Sequence, residues 1–217
     1  MNEIIAKTMK NLERNNIKAY YAENKEEVCG IVKELLFDGA VITAGGSMSL
    51  KESGVWDIIE APEYKFFDRA KPGITEEERL EAFKAAIGCD FFFCSSNAVT
   101  ENGELVNVDG TANRISSICF GPKNVVMVVG VNKIVKDINE GLLRIKKIAA
   151  PKNTERLKID APCRKLGHCV SLLKSDCPEM TDGCAGQTRI CCDYLVSAMQ
   201  RQKDRIKVIL CGENLGY

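Results

Sequence analysis

Six of the eleven cysteines fall within the 30 residues from Cys163 to Cys192, with the sole histidine, His168, among them. Glycine, proline and aspartate separate them and no core periodicity runs through the stretch, so packed inert thiols explain it poorly. Thiolates in such numbers satisfy either a tetrahedral zinc ion or the outer iron sites of an iron-sulfur cluster. The spacing matches neither the zinc-ribbon nor the bacterial ferredoxin pattern, which leaves both metals open. His168 could be a further ligand or a plain loop residue. A Ser/His/Asp triad needs a histidine near its nucleophile, and this one lies far along the chain from Ser47, Ser95 and Ser96.

A second group of residues could hold an anion. Gly45-Gly46-Ser47 follows a predicted strand, Ala40 to Ala44, and Ser95-Ser96-Asn97 follows another, Cys89 to Cys94. Glycines let a backbone approach a ligand closely, and free amides at a strand-to-helix turn favour a phosphate or carboxylate. Asp109, Gly110, Asn113 and Arg114 form a third polar segment, in which Arg114 could make a bidentate contact to the anion or pair with Asp109 for structure. Ligands of open α/β sheets bind outside the carboxyl ends of strands, so these three segments are expected to converge there. No G-x-G-x-x-G follows a strand and no Walker lysine follows a glycine loop, which removes the dinucleotide and P-loop readings.

The elements that must position these residues are legible from periodicity. Near-continuous apolar runs at Ala40 to Ala44, Cys89 to Cys94 and Val125 to Val129 predict buried parallel strands, with further strands at Lys18 to Tyr21, Tyr64 to Phe67 and Arg205 to Cys211. Helices are predicted over Asn2 to Asn15, Lys25 to Phe37, Thr75 to Ile87 with a Thr75/Glu78 capping box, and Lys136 to Ala149, where Pro151 marks the end. Asn102-Gly103 predicts a type I′ hairpin turn, and Thr111 or Asn113 is the N-cap candidate for a short helix through Ile118. The sum is an α/β fold, an open and mainly parallel sheet, over residues 1–217, with Cys163 to Cys192 inserted before the last strand.

At 217 residues and 45% hydrophobic, the chain suits one sizeable α/β domain. Basic and acidic residues balance at 30 each, which gives no sign of a nucleic-acid or membrane-surface partner. The amphipathic start has no signal-peptide core and no stretch is long enough to span a bilayer, so the expected compartment is the cytoplasm. There, an odd number of cysteines implies free thiols or metal ligands.

Several separated motifs together resemble one family. They are Gly45-Gly46-Ser47, Val106-Asn107-Val108-Asp109-Gly110 with Asn113-Arg114, Phe120-Gly121-Pro122-Lys123, Gly130 with Asn132-Lys133, and Gly212-Glu213-Asn214-Leu215-Gly216. In this order they resemble the LUD-domain proteins, the lactate-utilisation family. That resemblance implies a sheet like the ribose-5-phosphate isomerase, glucosamine-phosphate deaminase and CoA-transferase group. It also implies a part in bacterial L-lactate oxidation to pyruvate beside iron-sulfur partner proteins. A Cys-x5-Cys then Cys-x6-Cys pattern of some members falls here on Cys163, Cys169, Cys184 and Cys191. The stretch between is longer than in that pattern, so Cys177 stands as an alternative ligand. Family association favours a [4Fe-4S] cluster over zinc. Thr100-Glu101-Asn102-Gly103 is similar to the Ser-Glu-Asn-Gly motif of CoA-transferases, which makes Glu101 the candidate catalytic acid, base or nucleophile of an alternative, a stand-alone CoA-transferase-like or sugar-phosphate enzyme.

Overall fold

The structure, a computed structural model, describes residues 1–217. Helix α1 (Glu3–Arg14) starts at Asn2, whose side chain accepts from the Ile5 amide, and strand β1 (Lys18–Ala22) follows. Asn24 caps α2 (Lys25–Leu35) in the same way, and Val28 and Val32 bury that helix against the sheet. Next come β2 (Val41–Ala44), α3 (Met48–Glu52), α4 (Val55–Ile59) and β3 (Lys65–Phe67). Helix α5 (Glu76–Gly88) opens on the reciprocal Thr75/Glu78 capping box. Then β4 (Phe91–Cys94), β5 (Ala98–Thr100), β6 (Leu105–Asp109), α6 (Asn113–Cys119) and β7 (Asn124–Gly130) follow.

Strand β8 (Ile134–Val135), α7 (Ile138–Arg144), α8 (Ala150–Arg156), α9 (Pro162–Leu166), β9 (Asp193–Ser197) and β10 (Ile206–Cys211) make up the rest. The main sheet has six strands in the order β1-β10-β7-β4-β2-β3, and every pair in it is parallel. Alternate residues of its apolar strands face opposite sides. Phe91 and Phe93 pack with Ile42, Val126 and Ile209 on one face, whereas Phe92, Val125 and Met127 pack with Leu12 and Val208 on the other. From β2 the chain moves outward to β3 and then returns to the far side of β2 as β4. This reversal opens a crevice at the carboxyl ends of β2 and β4, the position where ligands bind in open α/β sheets.

The predicted hairpin is part of a second, four-stranded sheet, β8-β5-β6-β9. Its last strand directly follows the cysteine segment, and residues 105–109 of β6 pair antiparallel with it. Three local expectations are corrected. The hairpin turn is not type I′: the Gly103 amide donates to the Thr100 carbonyl, and within residues 100–104 only Gly103 has positive φ, at 84°. That is a type I turn followed by a left-handed glycine. A Cβ on Gly103 would lie 2.6 Å from the Asn11 carbonyl carbon, so the close approach to α1 also demands glycine.

The helix after Lys136 does not end at Pro151. A π-helical stretch, Ile145–Ala149, widens the turn ahead of the proline, and α8 continues to Arg156. The start of α6 is held by neither Thr111 nor Asn113. Ala112 occupies the cap position at φ 55°, and the Asp109 carboxylate accepts from the Arg114 and Ile115 amides instead. At the other end of α6, the buried Arg205 guanidinium donates to the carbonyls of Ser117, Ile118 and Pro122. No helix is long and apolar enough to cross a membrane.

Candidate functional site

A cleft of about 480 Å³ opens at the crevice described above. Gly46 and Ser47 enter it from the end of β2, Ser95, Ser96 and Asn97 from the end of β4, and Asp109, Gly110, Asn113 and Arg114 from the β6–α6 turn. Gly45 is buried just behind, where a Cβ would come within 3.3 Å of the Arg114 side chain. The three polar segments predicted to converge therefore meet in one cavity. Arg69, Lys133, Arg156, Cys191 and Tyr217 also line it.

Arg114 is committed to the protein. Its Nε donates to Asp109 Oδ1 at 3.0 Å, one terminal nitrogen donates to the Ser95 carbonyl and Asn107 Oδ1, and the other to Asn97 Oδ1 and the Val108 carbonyl. A guanidinium carries five N–H donors, so none is left over for a ligand. The Asp109 partner is 6% exposed at the side chain and also caps α6. Arg114 thus ties the ends of β4 and β6 together and contributes its charge, not its hydrogen bonds, to the cleft.

The cations free to meet an anion are others. Arg69 stacks over the Phe83 ring with 5.5 Å to the centroid, has no ion-pair partner, and its guanidinium is desolvated enough to be pulled below its usual value. Arg156 donates through Nε to the Tyr217 hydroxyl at 2.7 Å and to Asn153, with no carboxylate partner. Lys133 is 3% exposed, and its Nζ donates to Ser49 Oγ at 2.7 Å and Ser95 Oγ at 3.1 Å. Burial, then the neighbouring Arg144 and Arg114 charges, push its pKa down to about 7. Three guanidinium groups, and Lys133 when it is protonated, therefore line the cleft against one carboxylate, Asp109, which is already paired with Arg114. Such an excess of positive charge favours a small anion.

Cys163 at α9, Cys169, Cys184 and Cys191 line one small adjoining cavity, whereas Cys177 and Cys192 are exposed and outside it. Arg189 holds this segment by donating to the carbonyls of Cys191, Cys184 and Thr181, and the Cys169 amide donates to the Lys146 carbonyl. Burial pushes the Cys191 thiol up to about 12, and the thiols of Cys163, Cys169 and Cys184 add to the rise. His168 turns Nδ1 to the Cys169 carbonyl and does not line the cavity.

No three histidine, cysteine or acidic side chains lie close enough to hold a single metal ion. A zinc site would bring thiolate sulfurs together around bonds of about 2.3 Å, whereas a cluster spreads its four thiolates over separate irons. Four thiolates leave a net negative charge around either group, and a cation stands beside them. Lys146 is 3% exposed beside the cavity, donates to the Asp182 carbonyl, and forms no salt bridge. A buried ammonium is stabilised by a compensating negative charge, which ligating thiolates would supply around either zinc or a cluster. The two cavities share a wall, since Ala150, Ile190 and Cys191 line both.

Glu101 is placed elsewhere. It lies on the hairpin turn packed against α1, pairs with Lys7 Nζ at 2.7 Å, and does not line the cleft. Glu101→Gln is accordingly expected to lower stability by less than about 1 kcal/mol, the usual worth of an exposed pair, and to leave ligand affinity unchanged by calorimetry. Sequence reasoning missed Arg69, Lys133 and Arg156 as site residues. Arg69 and Arg156 sit in segments with no motif; Lys133 had a faint signal, a polar Asn132-Lys133 step directly after the buried strand β7.

The LUD domain model matches residues 5–211 of this chain. Among solved structures, a DUF162 family protein from Deinococcus radiodurans is similar over 97% of this chain and 97% of its own, with a TM-score of 0.51 at 15% identity, a likeness of fold. The beta subunit of eIF2B from Chaetomium thermophilum matches 56% of this chain and 42% of its own at a TM-score of 0.38 and 13% identity, too low to support an argument. No curated protein matches.

Proposed function

The chain belongs to the LUD-domain family, and from that premise we propose that it is a component of a bacterial lactate-utilisation or related electron-transfer system. In this reading a small carboxylate or phosphate occupies the cleft, and Cys163, Cys169, Cys184 and Cys191 hold a [4Fe-4S] cluster, with zinc the alternative metal. The observation that carries the reading is the wall of Ala150, Ile190 and Cys191 shared by an anion-favouring cleft and a four-cysteine cavity. A bound cluster supplies one-electron transfer at that wall. The chain's own residues do the rest: Arg69, Arg156 and Lys133 attract and orient the anion, Arg114 fixes the loops that shape the cleft, and Arg189 fixes the loop carrying Cys184 and Cys191.

Electron transfer needs a donor or acceptor outside the chain, so iron-sulfur partner proteins belong to the proposal. The open sheet with its crevice at the strand ends also accords with the proposed likeness to the ribose-5-phosphate isomerase, glucosamine-phosphate deaminase and CoA-transferase group. A stand-alone CoA-transferase built on Glu101 is disfavoured by the pairing of that residue with Lys7, away from the cleft.

Calorimetry against lactate, pyruvate, sugar phosphates and acyl-CoAs tests the anion site. Arg69→Ala and Arg156→Ala should each weaken binding of the preferred ligand by about 1.5 to 3 kcal/mol, the worth of a hydrogen bond to a charged group. No binding of any of these compounds to the wild type would overturn the proposed ligand class.

A further inference from the structure

We propose that Lys133 is a nucleophilic amine that condenses reversibly with the carbonyl of a small 2-oxo acid held in the cleft. The inference rests on the anion-cleft reading above and adds a covalent step to it. Three features of the structure lead to it.

The first is the hydrogen bonding of Nζ. It donates to the hydroxyls of Ser49 and Ser95, and those hydroxyls in turn donate to the carbonyls of Leu215 and Ser96. The Ser49 hydroxyl hydrogen is thus directed away from the lysine, and the longer 3.4 Å contact lets that of Ser95 turn away too. A neutral amine has two N–H bonds, which match the two acceptors, and its lone pair has no hydroxyl donor to cap it. A charged ammonium would carry a third N–H without a protein partner.

The second feature is the setting. Lys133 follows the end of β7, its stem is buried, and it lines the same cleft as Arg69 and Arg156, which can hold a carboxylate beside it. It makes no salt bridge. Such a position suits a nucleophile rather than a structural ion pair, since desolvated lysines next to other cations are the ones that attack carbonyls.

The third feature is the charge around it. Arg144 of α7 and Arg114 of α6 oppose protonation, Glu52 of α3 and Cys94 of β4 favour it, and burial outweighs them all, bringing the group down to about 7. At pH 7 roughly a thousandfold larger fraction is free amine than for an ordinary lysine with a pKa of about 10.4.

The step is redox-neutral. The Nζ lone pair attacks the keto carbon, the two N–H hydrogens and the carbonyl oxygen depart as one water, and a C=N bond replaces the C=O. The substrate carboxylate stays with the guanidinium groups.

The test uses the full chain with pyruvate as the probe and sodium cyanoborohydride to reduce any imine to a stable secondary amine, followed by peptide mass mapping. The expected result is one saturable adduct on Lys133, absent with lactate, which has no carbonyl, and growing as pH rises through about 7. Lys133→Arg should abolish that adduct while retaining the fold by thermal melting; should that variant misfold, the wild-type map and its pH profile decide alone. Adduct spread evenly over surface lysines, or none at Lys133, overturns the proposal. Calorimetry separates the two failures. Pyruvate that binds without being trapped at Lys133 leaves the anion-cleft reading standing with Lys133 as a simple cation, whereas no binding by pyruvate or any other anion removes both.

Discussion

Arg114→Ala is expected to lower folding stability by about 3 to 5 kcal/mol, the loss found when one partner of a buried ion pair is removed. The side chains of Arg114 and Asp109 are 12% and 6% exposed, and the guanidinium joins the ends of β4 and β6 through five hydrogen bonds. Truncation leaves the Asp109 carboxylate buried beside α6 with only backbone amides, and leaves the Ser95 and Val108 carbonyls without their donors. Arg114→Lys should recover little, because one ammonium cannot reproduce a planar five-donor fork. Denaturant unfolding of the three proteins gives the comparison. A loss below about 1 kcal/mol for Arg114→Ala, or full recovery by lysine, would show that the network matters far less than its geometry indicates.

The second large effect is expected at the cysteines. Cys163→Ser, Cys169→Ser, Cys184→Ser and Cys191→Ser should each lower metal content at least about tenfold, while Cys177→Ser and Cys192→Ser, both outside the cavity, should keep it. Loss of the metal should then loosen one segment before the rest. The stretch 163–192 contains only α9 and a single 3-10 turn, and Arg189 and a few backbone bonds hold it together. Metal ligation contributes directly to folding in such segments. Hydrogen exchange should therefore accelerate in 163–192 while β4, β7 and β10 stay protected. Because burial and neighbouring thiols hold the Cys191 proton up to about 12, metal uptake must displace that proton and should strengthen as pH rises. Equal metal loss from Cys177→Ser would move the centre to a different set of ligands.

The sheet was legible in the sequence because its strands are buried on both faces, so Cys89 to Cys94 and Val125 to Val129 read as unbroken apolar runs. The ends of those strands also showed which polar segments meet at the crevice. What sequence could not show were the partners of each side chain. The sequence left Arg114 open between an anion contact and pairing with Asp109, because the convergence of Ser95, Asn97, Asn107, Val108 and Asp109 on one guanidinium is set by tertiary packing. Glu101 stood beside a turn of suggestive composition, yet the side of the molecule that turn faces depends on α1, some 90 residues earlier.

Other misreadings share that cause. A proline ends most helices, but here a π-helical stretch before Pro151 absorbs it, a device that has no marker in the residues Ile145–Ala149. Strand β9, just after the cysteine segment, was hidden because its pairing with β6 is non-local. The sequence showed Lys133 only as part of a polar step after β7, since its chemistry arises from Ser49, Ser95, Arg114 and Arg144, contributed by four separate parts of the chain.

The most direct test of the central claim, a cysteine-held cluster beside the anion cleft, is the absorption spectrum and metal content of wild-type protein purified without oxygen. The reading predicts iron and acid-labile sulfide in equal amounts, with a broad visible band that bleaches on reduction and is lost in Cys191→Ser. Zinc alone would contradict the cluster, and neither iron nor zinc would contradict a metal centre at Cys163, Cys169, Cys184 and Cys191 altogether.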